Sequence, residues 1–86
     1  MDEVVKTVEN LCAQFLVTAK KVDILRETLD DYRTRGILPR YVLPLETELA
    51  SLQETLESLD VSIGLVVTED HVNLPIYKQV LKCGTY

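Results

Sequence analysis

The sequence predicts an all-α fold: an elongated antiparallel helical hairpin built on coiled-coil heptads, with a short C-terminal helix. Three observations predict it. Residues 2–35 contain neither Gly nor Pro, the two residues that most disfavour a helix interior. Two long segments repeat apolar residues at alternating spacings of 4 and 3, the period of a helical seam. The three Gly and three Pro of the 86-residue chain fall at 36–44, at 64 and at 75–84, where a hairpin needs its turns.

The first helix is expected over about residues 2–35. Its seam runs Val4, Val8, Leu11, Phe15, Thr18, Val22, Leu25, Leu29 and Tyr32, four heptads in one register. Val5, Cys12, Leu16, Ala19 and Ile24 flank that seam and widen the apolar face, which points to more than one packing neighbour. Such a helix would be about 50 Å long at 1.5 Å per residue. That exceeds the diameter of a globule this chain could form, so part of the face is expected outside the chain's own core. Thr18 interrupts the apolar run. It either fixes register and partner number or bonds back to its own helix.

The second helix is expected over about residues 44–68. Pro44 suits a first turn, where the missing N–H has no partner to lose. Its seam is Leu45, Leu49, Leu52, Leu56, Leu59, Ile63 and Val66. Gly64 costs about 1 kcal/mol against Ala, and marks either a close helix approach or a soft end. Between the helices, residues 36–43 hold Gly36, Pro39 and an apolar cluster of Ile37, Leu38, Tyr41, Val42 and Leu43. This reads as a structured connector that lets the helices pack antiparallel. After a polar turn at Glu69, Asp70 and His71, Asn73 is a candidate cap and Pro75 a first-turn residue. A short third helix is expected over about 74–82, with an apolar patch of Ile76, Tyr77, Val80 and Leu81, and stopping near Cys83-Gly84. Residues 1–86 thus form a single helical domain.

Charge narrows the function. The chain has 14 acidic and 9 basic residues, a net charge of -5, and a pI near 4.7. From Pro44 to Asp70 there are seven acids and no Lys or Arg; apart from Lys6, the bases concentrate at Lys20, Lys21 and Arg26, at Arg33, Arg35 and Arg40, and at Lys78 and Lys82. An acidic protein of this kind is repelled by phosphate, so direct nucleic-acid binding and attachment to an anionic membrane surface are not expected. No 18-residue run lacks charge and no secretory pattern opens the chain, so neither a membrane span nor a signal peptide is expected. The acidic second helix is either a solvated face or the docking face for a basic partner.

Catalytic chemistry is absent from the pattern. His71 is the only histidine, read as a surface or turn residue with no recognisable nucleophile beside it. Phosphate-binding glycine loops, HExxH, GxSxG and CxxC do not occur. Cys12 and Cys83 read as free thiols of a reducing compartment, and with one His they fall short of a zinc site. The expectation is a non-enzyme without metal or cofactor. A chain this small buries only roughly 60–65% of its unfolded surface, and the seams therefore point to helical protein partners in a hetero-oligomer. A homodimeric four-helix-bundle adaptor is the alternative.

One segment carries a resemblance. Leu59-Asp-Val-Ser-Ile-Gly-Leu-Val-Val-Thr68, followed by Ile76-Tyr77, resembles the family of the small third "Dad" subunit of the fungal DASH (Dam) complex. That kinetochore assembly couples chromosomes to spindle microtubules. The matching residues are Ile63, Gly64, Leu65, Val66, Thr68 and Tyr77; Glu69-Asp70-His71 and Pro75 depart from the family's continuing helix. The resemblance implies a short all-helical subunit of a coiled-coil bundle in the nucleus or on the spindle, touching the microtubule only through other subunits. Ala19-Lys20-Lys21-Val22-Asp23-Ile24-Leu25 is similar instead to a small coiled-coil subunit of Mediator.

Overall fold

The computed structural model of the chain describes residues 2–83. Three helices follow one another: α1 over Asp2–Arg35, α2 over Pro39–Val66 and α3 over Pro75–Lys82, with a 3₁₀ turn at Glu69–His71. α1 and α2 form an antiparallel hairpin and α3 folds back against α1. The result is a rod of 52 × 18 × 15 Å with a radius of gyration of 15.8 Å, against roughly 12 Å for a compact chain of this length. The rod shape answers the length problem posed by α1, because a second helix now runs beside it.

The turn at the hairpin tip is shorter than expected, three residues in place of 36–43. Gly36 ends α1 at φ +72°, a left-handed conformation open to glycine because it has no Cβ. Ile37 N–H donates to the Tyr32 carbonyl at 3.0 Å and Gly36 N–H to the Arg33 carbonyl at 3.2 Å. That pair of bonds is a Schellman motif, which satisfies carbonyls the helix end would otherwise orphan. Leu38 stays extended, as a residue before proline prefers, and Pro39 starts α2. The expected start at Pro44 is thereby corrected. Pro39 takes the first-turn place and Pro44 lies inside α2, with no N–H to give the Arg40 carbonyl.

The far end also differs. α2 stops at Val66, two residues before the expected Thr68, and Val67 and Thr68 are extended. The β-branched run Val66-Val67-Thr68 weakens the helix there. Leu74, not Asn73, takes the cap position of α3, with Pro75 at its first turn. Of the expected stop at Cys83-Gly84, Gly84 lies outside the described residues.

One core joins all three helices. Val8, Cys12, Phe15, Ala19 and Val22 of α1 meet Leu56 and Ile63 of α2 and Val80 of α3. Leu29 and Val42 are buried nearer the tip. Each large aliphatic or aromatic side chain so covered is worth about 2 kcal/mol. Gly64 stands apart from this core: nothing lies within 4 Å of where its Cβ would be, so within the chain it serves no close approach. Gly64→Ala is therefore expected to stabilise the fold by about 1 kcal/mol, read as a higher urea midpoint at unchanged slope.

Candidate functional site

The side chains assigned to the two seams face one another within the hairpin. On α2 the seam reads as Leu56 and Ile63 buried, with Leu45, Leu49, Leu52, Leu59 and Val66 half-buried. Val42 extends it one step toward the tip. On α1 the register is shifted. Val8, Phe15, Val22 and Leu29 are buried as the seam requires, but the positions between them that reach the core are Cys12 and Ala19. Leu11, Thr18, Leu25 and Tyr32 sit half-buried along one flank, and Val4 is exposed. Two heptad frames share Val8, Phe15, Val22 and Leu29. Leu11 and Leu25 stand out on hydrophobicity alone, while the small Cys12 and Ala19 take the places nearest the core.

The widened α1 face meets a second neighbour inside the same chain. α3 covers the Cys12 and Ala19 side, where Phe15, Ile63, Tyr77 and Val80 converge. Ile24, read as part of that widened face, instead stands 55% exposed on the outer surface with Val17.

His71 is buried at 5% exposure, which corrects its reading as a surface residue while keeping it in the turn. Its Nδ1 accepts the Thr68 backbone N–H at 3.0 Å, so the ring proton belongs on Nε2. With Val4 and Val5 of α1 and Thr68 and Asp70 of the turn, His71 lines a cleft between the 3₁₀ turn and the start of α1. This makes it a structural cap, and no sequence pattern marks a histidine for that task. Among the described residues no three His, Cys, Asp or Glu side chains gather as a metal site. No helix among them is long and apolar enough to cross a membrane.

Both cysteines are free, Cys12 buried and Cys83 exposed. Burial pushes the Cys12 thiol up, because the core cannot solvate a thiolate. A thiol reagent at pH 8 is expected to modify Cys83 promptly and Cys12 only at the rate of global unfolding, measured as one fast and one slow equivalent.

What remains uncovered is apolar surface. Ile37, Leu38, Tyr41 and Leu43 are exposed around the tip, where the Arg40 guanidinium stacks 4.9 Å above the Tyr41 ring. Arg33 pairs with Glu46 across the turn at 2.9 Å and Arg35 with Asp31 at 3.2 Å; both pairs are exposed and contribute little. On the outer face of α2, Val61 and Leu65 lie one turn apart, 62% and 81% exposed, among Glu54, Glu57 and Asp60. Comparison with models of known families, with curated proteins and with solved structures finds no match. The site is thus described by its own chemistry: apolar patches on a helical rod. Over residues 63–77, Ile63 is in the core, Gly64, Leu65 and Thr68 are exposed, and Val66 and Tyr77 are half-buried.

Proposed function

We propose that the chain is a non-catalytic structural subunit of a multi-protein helical assembly. One observation carries the reading: among the described residues eleven large apolar side chains stand exposed, grouped at the tip and on the helix faces. Patches of that kind on a small protein mark surfaces that other proteins cover. The kinetochore DASH complex is the leading example. The support for it is the segment Ile63-Gly64-Leu65-Val66 with Thr68, whose Leu65 is open to a partner. The acidity of α2 suits an internal scaffold and not a contact with the acidic tubulin surface. The assembly would then work in the nucleus and on the spindle.

Affinity purification of the tagged chain from its native cell tests this. Stable helical proteins are expected to co-purify in fixed stoichiometry. Leu65→Asp should lower their recovery about tenfold, as loss of a central apolar anchor does, whereas Glu54→Lys on a solvated face should leave it unchanged. Recovery of the chain alone would overturn the reading, and a large loss with Glu54→Lys would reassign the acidic face to a basic partner.

A further inference from the structure

The two long sides of the hairpin are not equivalent. On one, α3 packs over part of the hairpin, with Tyr77 and Val80 beside Phe15 and Ile63. The opposite side is open: Leu25 and Leu52 border a groove there together with Lys21, Ile24, Thr28 and Glu48. Helical periodicity carries that side along the rod in steps of seven residues. Leu11, Thr18, Leu25 and Tyr32 follow one another on α1, and Val66, Leu59, Leu52 and Leu45 run alongside on α2, all half-buried. The antiparallel register, in which Arg33 bonds Glu46 and Leu25 lines one groove with Leu52, sets these side chains in four layers, one residue from each helix. Half-buried apolar layers at heptad spacing are what a two-helix unit presents before it becomes half of a four-helix bundle.

We infer that a second copy of this chain covers that side, forming a four-helix bundle with its two-fold axis parallel to the helices and both tips at one end. The inference rests on the reading of the chain as an assembly subunit and assigns one of its partners. Two observations select the occupant. The open side is nearly free of charge: Gln14, Thr28, Thr55 and Ser62 border it, and Lys21 and Glu48 are its charged residues between the outer layers. It can therefore meet its own copy without placing like charges face to face. The rod is 52 Å long and 18 Å wide, so such a face offers on the order of 900 Å² per copy, close to the roughly 800 Å² per partner of a stable interface. Charge then chooses the orientation. An antiparallel stack would lay α2 on the partner's α2, both acidic and without Lys or Arg from Pro44 onward. With the axis along the bundle, each α2 instead lies on the partner's α1, which carries Lys21 on that side.

Thr18 is the polar residue within the four layers, and it supplies the test. Sedimentation equilibrium of the purified full chain should give twice 9.8 kDa. Thr18→Leu should tighten the dimer about tenfold, since two buried threonines become leucines. Leu65→Lys, on the outer face, should leave the dimer unchanged. A nitroxide at the tip, on Leu38→Cys in a Cys83→Ser chain, should report a spin–spin distance well short of the 52 Å rod. Helicity by circular dichroism confirms that each variant is folded. A folded chain that sediments as one copy at every concentration, or a Thr18→Leu chain with unchanged association, would overturn the inference. So would a distance of a full rod length, which belongs to the antiparallel stack. None of these results bears on which other proteins co-purify, so failure here is distinct from failure of the subunit reading.

Discussion

Leu56→Asp is expected to leave the chain without its helical fold at 25 °C. Leu56 is 0% exposed and belongs to the core cluster to which all three helices contribute. The substitution removes about 2 kcal/mol of apolar burial. It also sets a carboxylate in a water-excluded apolar core, a cost of several kcal/mol. Small domains hold about 5–15 kcal/mol in total, and a three-helix rod belongs at the low end. The measurement is circular dichroism at 222 nm with urea titration. Leu65→Asp is the control, since that side chain is 81% exposed and its loss should stay within about 0.5 kcal/mol. A folded Leu56→Asp chain would mean that α1 and α2 do not pack through these residues. Leu52 separates fold from assembly. It is half-buried on the open side, so a carboxylate there keeps access to water in the single chain and loses it on association.

The architecture was legible because two seams with a 3.5-residue period admit few other solutions. The α2 seam could be read residue by residue, since its leucines are large and recur in one frame with no competing set. The α1 seam was legible only in direction. Val8, Phe15, Val22 and Leu29 belong to two frames, and the choice between them depends on α3, which comes sixty residues later in the chain and covers Cys12 and Ala19. A tertiary neighbour decides that register, and local periodicity does not contain it. The helix start was misplaced for a related reason. Pro39 and Pro44 both satisfy a first-turn rule; the Schellman bonds at Gly36 determine which of them comes first. His71 was unreadable because its role is to accept one backbone N–H from Thr68, a contact set by the geometry of a single turn. The candidate surfaces followed the same division. That apolar residues exceed what the chain covers could be counted in advance. Which of them stay outside, Val61 and Leu65 and not Leu59 and Ile63, depends on the rotation of α2 about its axis.

Phe15→Ala is expected to release α3 while weakening the whole rod. Phe15 is 1% exposed and is the largest fully buried side chain. It stands where Ile63 of α2 and Tyr77 and Val80 of α3 converge. Truncation of a buried Phe costs about 3–5 kcal/mol, part lost transfer and part cavity. The loss should not spread evenly. α1 and α2 keep the contacts nearer the tip, Leu29 and Val42 among them. α3 has eight residues and buries Val80, so it is too short to persist as a helix without the surface beneath it. Hydrogen exchange followed by mass spectrometry should show residues 75–82 losing protection first, with the tip half of the hairpin retaining most of its own. Val80→Ala should reproduce the loss over 75–82 at a smaller global cost. Uniform loss of protection along the rod would instead show that the three helices fold as one cooperative unit, with α3 as integral to the core as α2.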